Sequence, residues 1–373
     1  MEIVVRKTDL QRELSLLQNI VERKITIPVL ANVLVEADSD TMRMMATDLD
    51  MSLRTQCAAS VTKGGTLTLP AKKLFELVRE LPDTDVRIET DRNGVKIAAD
   101  RFESRMSTQS PDDYPQLPTL GDGVPAAEAL PAAGLRQMIA KTGFAITGED
   151  TRYFLNGALL VLSNTQMSLV ATDGHRLAYV TAPREVPKGH KTDGELKILL
   201  PKKTLMELNR VLGDGTADIL LRRGENHLFF ELGTRQLASR VIDGQFPAYD
   251  RVIPKNNDKK IDFERERFAR AVKRVALLSS ERSRAVKFQI DKGQVDVVSS
   301  NPDLGDAKET LLVDYDGPSM QLCFNAQYVS EFLSAVETEQ VVLEFKDETS
   351  QAVMKPVAPE GYEYLYVIMP MRA

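Results

Sequence analysis

Asp173 and His175 are the residues whose types and spacing most suggest chemistry. They stand two apart in Ala171-Thr-Asp-Gly-His-Arg-Leu-Ala178. A carboxylate beside an imidazole is the base half of a nucleophilic site, and such a site needs a nucleophile within hydrogen-bond reach. The sequence has no Gly-x-Ser-x-Gly elbow and no Walker P-loop. The other histidines, His190 and His227, fall in segments resembling loops or strand turns. Asp173 reads better as a turn residue, since Asp side chains accept hydrogen bonds from backbone just ahead of them. Gly174 supplies the freedom to take a positive φ. Cys57 and Cys323 stand alone in apolar settings, with no Cys-x-x-Cys and no Cys/His cluster. They read as buried free thiols of a reducing compartment. Neither a metal site nor a cofactor is expected, and enzyme chemistry at Asp173 and His175 is the minor reading.

The elements that must position this turn are two strands. Ala158-Leu-Leu-Val-Leu, a polar turn at Ser163-Asn164 and Met167-Ser-Leu-Val-Ala make a hairpin by period-two alternation. The same pattern occurs earlier: Val29 to Ala37, a polar turn, then Met42-Arg-Met-Met-Ala-Thr-Asp. Thr47-Asp48 precedes Thr172-Asp173 by 125 positions. A weaker third copy runs from Val286 through Ser300-Asn301. A repeat of this length is a domain, copied three times. Each copy also holds two helical patterns, and the predicted helices cover 9–24, 71–80, 133–142, 202–210, 264–282 and 327–337. Thr8-Asp9 supplies N-cap candidates for the first. Helices laid on antiparallel sheets give an α+β class, with domains at 1–125, 126–253 and 254–373.

The chain has 373 residues and a formal net charge of −6, which excludes plain overall basicity as a sign of nucleic-acid binding. No apolar run approaches a membrane span, and the N-terminus lacks a signal-peptide core, so a cytoplasmic protein is expected. The charge is uneven. The six predicted helices carry 17 basic and 11 acidic residues, a surplus of six, so the remainder carries −12 against the chain's −6. Basic helices on an acidic protein suit one whose helices face a polyanion.

The chain resembles the bacterial DNA polymerase III β-subunit family, the sliding clamps. The resemblance rests on four motifs in order: Arg152-Tyr-Phe-Leu-Asn-Gly157, Ala171 to Ala178, Asp243-Gly-Gln-Phe-Pro-Ala-Tyr249 and Tyr366-Val-Ile-Met-Pro-Met-Arg372. It implies a non-enzymatic processivity factor, a homodimeric ring of six similar domains around duplex DNA, nucleoid-associated during replication. The implied partners are double-stranded DNA bound without sequence preference, the polymerase III alpha subunit, the clamp loader delta subunit, and other polymerases and repair proteins carrying clamp-binding peptides. A monomeric peptide-binding scaffold is the alternative. The implied peptide groove involves Leu155, Thr172, Gly174, His175, Arg176, Leu177, Pro247, Arg251, Val252, Val367, Met369, Pro370, Met371 and Arg372. The soft methionines suit varied apolar ligands. Implied DNA contacts are Lys24, Arg152, Tyr153 and Phe154, to which the basic helix residues Lys72, Lys73, Arg136, Lys141, Lys202, Lys203 and Arg210 add phosphate contacts. The family has an amide where this chain has Glu149 and a tyrosine where it has Phe154. The implied dimer contact places Leu277 and Leu278 against a strand near Met106.

Overall fold

The computed structural model describes residues 1–21, 27–121, 126–148, 150–185, 194–213 and 217–372. Lys24, Glu149 and His190 lie outside them. The first copy runs β1 (Glu2–Arg6), α1 (Lys7–Ile20), β2 (Asn32–Asp38), β3 (Thr41–Thr47), β4 (Met51–Ala58), β5 (Ser60–Lys63), β6 (Gly65–Pro70), α2 (Ala71–Glu80), β7 (Asp85–Asp91), β8 (Gly94–Ala99) and β9 (Phe102–Met106). The second runs β10 (Glu128–Leu130), α3 (Ala132–Thr142), β11 (Gly157–Leu162), β12 (Gln166–Thr172), β13 (Arg176–Pro183), β14 (Leu196–Pro201), α4 (Lys202–Leu212), β15 (Ile219–Arg223), β16 (His227–Leu232) and β17 (Arg235–Arg240). The third runs β18 (Lys259–Glu264), α5 (Arg265–Ala276), β19 (Ala285–Asp291), β20 (Gln294–Asn301), β21 (Gly305–Leu312), β22 (Met320–Asn325), α6 (Ala326–Ala335), β23 (Gln340–Phe345), β24 (Ala352–Pro356) and β25 (Glu363–Ile368). Two helices per copy and antiparallel pairing throughout the described sheets make the fold α+β, in three clamp domains.

The helices form where the sequence places apolar residues one turn apart. In α2, Ala71, Leu74 and Val78 are buried on one face, and Leu81-Pro82 ends it, because the residue before proline avoids the helical region. In α5, Phe268, Ala271, Val272 and Val275 are buried, and the Glu264 side chain caps the helix by accepting from the Arg267 N–H. Asn325 caps α6 in the same way, through the Gln327 N–H. Two expectations need correction. The first helix begins at Lys7, with no side-chain cap from Thr8 or Asp9, and ends at Ile20. The helix expected over 264–282 stops at Ala276, where apolar periodicity gives way to Leu-Leu-Ser-Ser.

The chain divides into two compact units. One comprises 1–133 with 203–241, the other 134–202 with 242–373, so the middle copy contributes to both. The first unit holds a five-stranded sheet, β5-β1-β7-β8-β9, and an eight-stranded sheet, β10-β15-β16-β17-β4-β3-β2-β6. Its core includes Leu10, Leu14, Leu17 and Ile20 of α1, and each such burial contributes roughly 2 kcal/mol. Glu13 is buried on the same helix. Arg235 of β17 grips it with two hydrogen bonds, at 2.9 and 2.7 Å, and the Thr55 hydroxyl donates to it. The second unit holds an eight-stranded sheet, β14-β11-β12-β13-β25-β24-β23-β18, and a four-stranded sheet, β21-β20-β19-β22. In the eight-stranded sheet β11 and β14 approach closely at Gly157. A Cβ there would stand 2.4 Å from the Leu200 carbonyl oxygen, so only glycine fits. Cys57 and Cys323 are both free and buried, and burial pushes the Cys57 thiol up to about 11.

Candidate functional site: an apolar cleft over the 172–177 turn

The turn between β12 and β13 is held by its own side chains. Thr172 Oγ1 donates to the Arg176 carbonyl at 2.6 Å and accepts from the Gly174 N–H at 3.1 Å. Asp173 Oδ1 accepts from the N–H groups of His175 and Arg176 at 2.9 and 3.0 Å. Asp173 is therefore committed to the turn, as its residue type suggests, and its other oxygen takes the Arg176 Nε at 3.0 Å. Gly174 has φ +87°, and a Cβ on it would meet the Arg152 guanidinium at 3.3 Å.

Arg176 is a buried brace. Its guanidinium donates to the Phe144 carbonyl at 2.6 Å and to Tyr366, pairs with Glu331 of α6, and lies over the Tyr328 ring at 4.2 Å. Burial alone would lower its pKa, but Tyr366 and Glu331 more than offset that and hold it above the ordinary arginine value. The resemblance puts Arg176 in the peptide groove. Arg176 borders the cleft, but its donors are engaged elsewhere.

The cleft above this turn has a volume of about 280 Å3. Leu155, Thr172, Gly174, His175, Arg176, Leu177, Pro247, Val252, Val367 and Met369 line it, as expected, and so do Arg152, Phe154 and Tyr249. Its floor is continuous with a core cluster containing Leu159, Val170, Leu177, Phe246 and Val367. Leu177 and Val367 face each other as register partners of β13 and β25. The Met369 N–H donates to the His175 carbonyl at 3.0 Å, extending that pairing beyond the strand. Arg251, Pro370, Met371 and Arg372 are not among the lining residues. The Met371 N–H bonds the Cys323 carbonyl at 2.7 Å, which draws the tail towards β22. Tyr249 was missed, though its ring stacks on Tyr179 at 5.8 Å and supplies a wall. Its position two residues after Pro247 was the available signal.

The residues expected at DNA are less uniform. Arg152 is clamped by Asp150, at 3.0 and 2.7 Å, and that pair lowers the Asp150 carboxyl to about 2. Tyr153 is exposed and Phe154 packs on the cleft's core cluster. Lys141 is corrected outright. It is 1% exposed, donates to the Ala335 carbonyl at 3.2 Å at the end of α6 and lies over the Tyr362 ring at 4.7 Å. Burial lowers its pKa, and it cannot reach a phosphate. Lys202 donates to the Ile146 carbonyl at 2.9 Å, while Lys203 bonds the Ile20 carbonyl and the Asp48 carboxylate. Lys73 pairs with Glu76 at 2.6 Å and Arg210 with Glu207, both on their own helices. Lys72 and Arg136 are half-buried on α2 and α3. Leu277 is 73% exposed just past α5, and Leu278 is half-buried. Met106 ends β9, the edge strand of its sheet. His227 opens β16, and burial lowers its pKa.

The descriptions of three family patterns match the chain in order: DNA polymerase III beta subunit, N-terminal domain, over residues 1–118; central domain over 129–248; C-terminal domain over 250–372. The chain is 36% identical to the beta sliding clamp of Caulobacter vibrioides over 380 residues, with both chains covered in full. It is 31% identical to that of Escherichia coli over 376 residues, again with full coverage. Among solved structures, a DNA polymerase sliding clamp from Pseudomonas aeruginosa superposes with TM-score 0.90 at 30% identity, covering all of both chains. A Bartonella birtlesii sliding clamp bound to griselimycin does so with TM-score 0.92 at 32% identity, with the same coverage.

Proposed function

The chain belongs to the DNA polymerase III beta subunit family, and from that membership we propose how it serves as a polymerase processivity factor: two copies close into a ring around duplex DNA. The processivity role is that of the family. Strand order supports the ring. In the first copy β4 is joined by β17, the last strand of the second copy. In the second, β13 is joined by β25, the last strand of the third. The corresponding strand of the third copy, β21, stands at the edge of its sheet, and so does β9, the last strand of the first. An open edge invites another strand. A second copy meets both needs at once, pairing β21 with its partner's β9 in a closed twofold assembly. Exposed Leu277, Leu304, Leu312 and Phe102 lie on or next to these two edges, where apolar exposure marks an interface. The proposed domains are 1–125, 126–253 and 254–373.

The apolar cleft is proposed as the docking groove for extended peptides from the polymerase, the clamp loader and repair proteins, which seat one or two large apolar side chains between Leu177 and Met369. Contacts to DNA are to phosphate, weak and without sequence preference. The ring itself performs no catalysis and works in the cytoplasm at the nucleoid. It holds the polymerase by topology and raises its effective concentration at the primer end. Strand order carries the ring reading, and replacing both Leu277 and Leu278 with Asp tests it. A charge forced into an apolar interface costs several kcal/mol. Light scattering is expected to give monomer mass for the folded variant and dimer mass for the wild type. A wild-type monomer would favour the free scaffold instead.

A further inference from the structure

The turn Thr172–Arg176 has a counterpart at Thr47–Met51, and the two share the same four bonds from the Thr and Asp side chains to the turn backbone. Thr47 Oγ1 donates to the Met51 carbonyl at 2.8 Å and accepts from the Leu49 N–H at 3.0 Å. Asp48 Oδ1 accepts from the N–H groups of Asp50 and Met51 at 3.0 and 2.7 Å. The Arg240 N–H donates to the Asp50 carbonyl at 2.8 Å, as Met369 does to His175. Strand register pairs Thr47 with Ser52 where Thr172 pairs with Leu177. The turn beneath the docking cleft is thus built twice.

Its lining is not. Where the cleft has Gly174 at φ +87°, the counterpart has Leu49 at φ +80°, 51% exposed. Ser52 stands in place of the apolar floor residue Leu177. Arg240 stands in place of the apolar wall residue Met369, and its guanidinium lies 3.6 Å from the Asp50 carboxylate. We propose that the 47–52 turn is a closed counterpart of the peptide groove, and that Leu49, Ser52 and Arg240 are the residues that deny it an apolar peptide. A hydroxyl floor and a charged wall offer an apolar anchor no dry contact, and burying that wall against one would strip water from the ion pair. Leucine at a positive φ is strained, so the closed form is kept at a cost in local backbone energy.

This inference rests on reading the 172–177 cleft as the peptide groove. The test uses the full chain and a fluorescein-labelled peptide from the tail of a replicative polymerase, with stoichiometry read by calorimetry. The wild type takes one peptide per chain, and L49G/S52L/R240M takes two. Ser52 is buried, and leucine there can upset the fold, so L49G/R240M, changed only at exposed positions, serves as the second variant. Its added site binds roughly tenfold or more weakly than the first, for want of the floor. Two peptides on the wild type, or one on both variants when folded and dimeric, overturns the inference. Leu177→Asp separates the premise. If it leaves wild-type binding unchanged, the groove reading falls; if it abolishes binding while the variants still take one peptide, only the counterpart inference falls.

Discussion

Arg176 and Lys141 show what single residues do here that their types do not announce. Both are basic residues beside apolar stretches, and the sequence reading puts Arg176 in the peptide groove and Lys141 at DNA phosphate. Arg176 instead spans from the turn carboxylate of Asp173 to Glu331 and Tyr366, and Lys141 is sealed by Tyr362 and the end of α6. Glu331 and Tyr366 for the arginine, and Ala335 and Tyr362 for the lysine, lie more than 150 residues away in sequence, so local pattern could not reveal them. Asp173 was legible because its partners are the next three residues. Arg176→Ala is expected to cost about 3 kcal/mol, because it takes the cation from the Asp173 and Glu331 carboxylates and the donor from the Phe144 carbonyl. A urea midpoint unchanged from wild type would contradict this. Glu13 gives a pH prediction. Burial alone would raise its pKa, but hydrogen bonds from Arg235, Thr55 and Arg12 more than offset that and hold it below the ordinary carboxylate value. A depressed carboxyl stabilises the fold above its unfolded pKa of about 4.3, and that stabilisation is lost as pH falls through the lower folded value. Glu13→Gln is therefore less stable than wild type at neutral pH, and the gap narrows below about pH 4. Chemical denaturation across pH 3–7 reads this, and a gap that widened in acid would refute it.

Elements were the most legible scale. Helices with one apolar stripe and hairpins with alternating residues could be read because each buries one face. The limits failed where a helix ends without proline or glycine, as at Ala276. The chain's final segment mixes legible and hidden features. Its methionines suggested a wall of the groove, and Met369 is one, but Met371 is held by Cys323 instead. Deleting Met369–Ala373 is expected to weaken peptide binding at least about tenfold, since an apolar anchor carries about 2 kcal/mol, while dimer mass stays unchanged. Met369→Ala should reproduce most of that loss and Met371→Ala little of it. Equal losses from the two, in a fluorescence titration, would place Met371 in the groove as well.

At the scale of the molecule, the threefold repeat was readable from Thr-Asp spacing and the helix pattern. How the copies share sheets was not, since β4 with β17 and β13 with β25 are pairings between copies. Those pairings leave β9 and β21 as open edges, and the proposed ring comes from joining them. A ring holds DNA by enclosure, so its grip should depend on whether the DNA has ends and little on salt. The most direct measurement loads the protein with its clamp loader onto nicked circular plasmid, washes at high salt, then cuts the plasmid once. Retention on the circle and rapid loss after linearisation at the same salt are expected. Equal retention on circular and linear DNA, or loss from both at high salt, would contradict enclosure and leave only electrostatic binding.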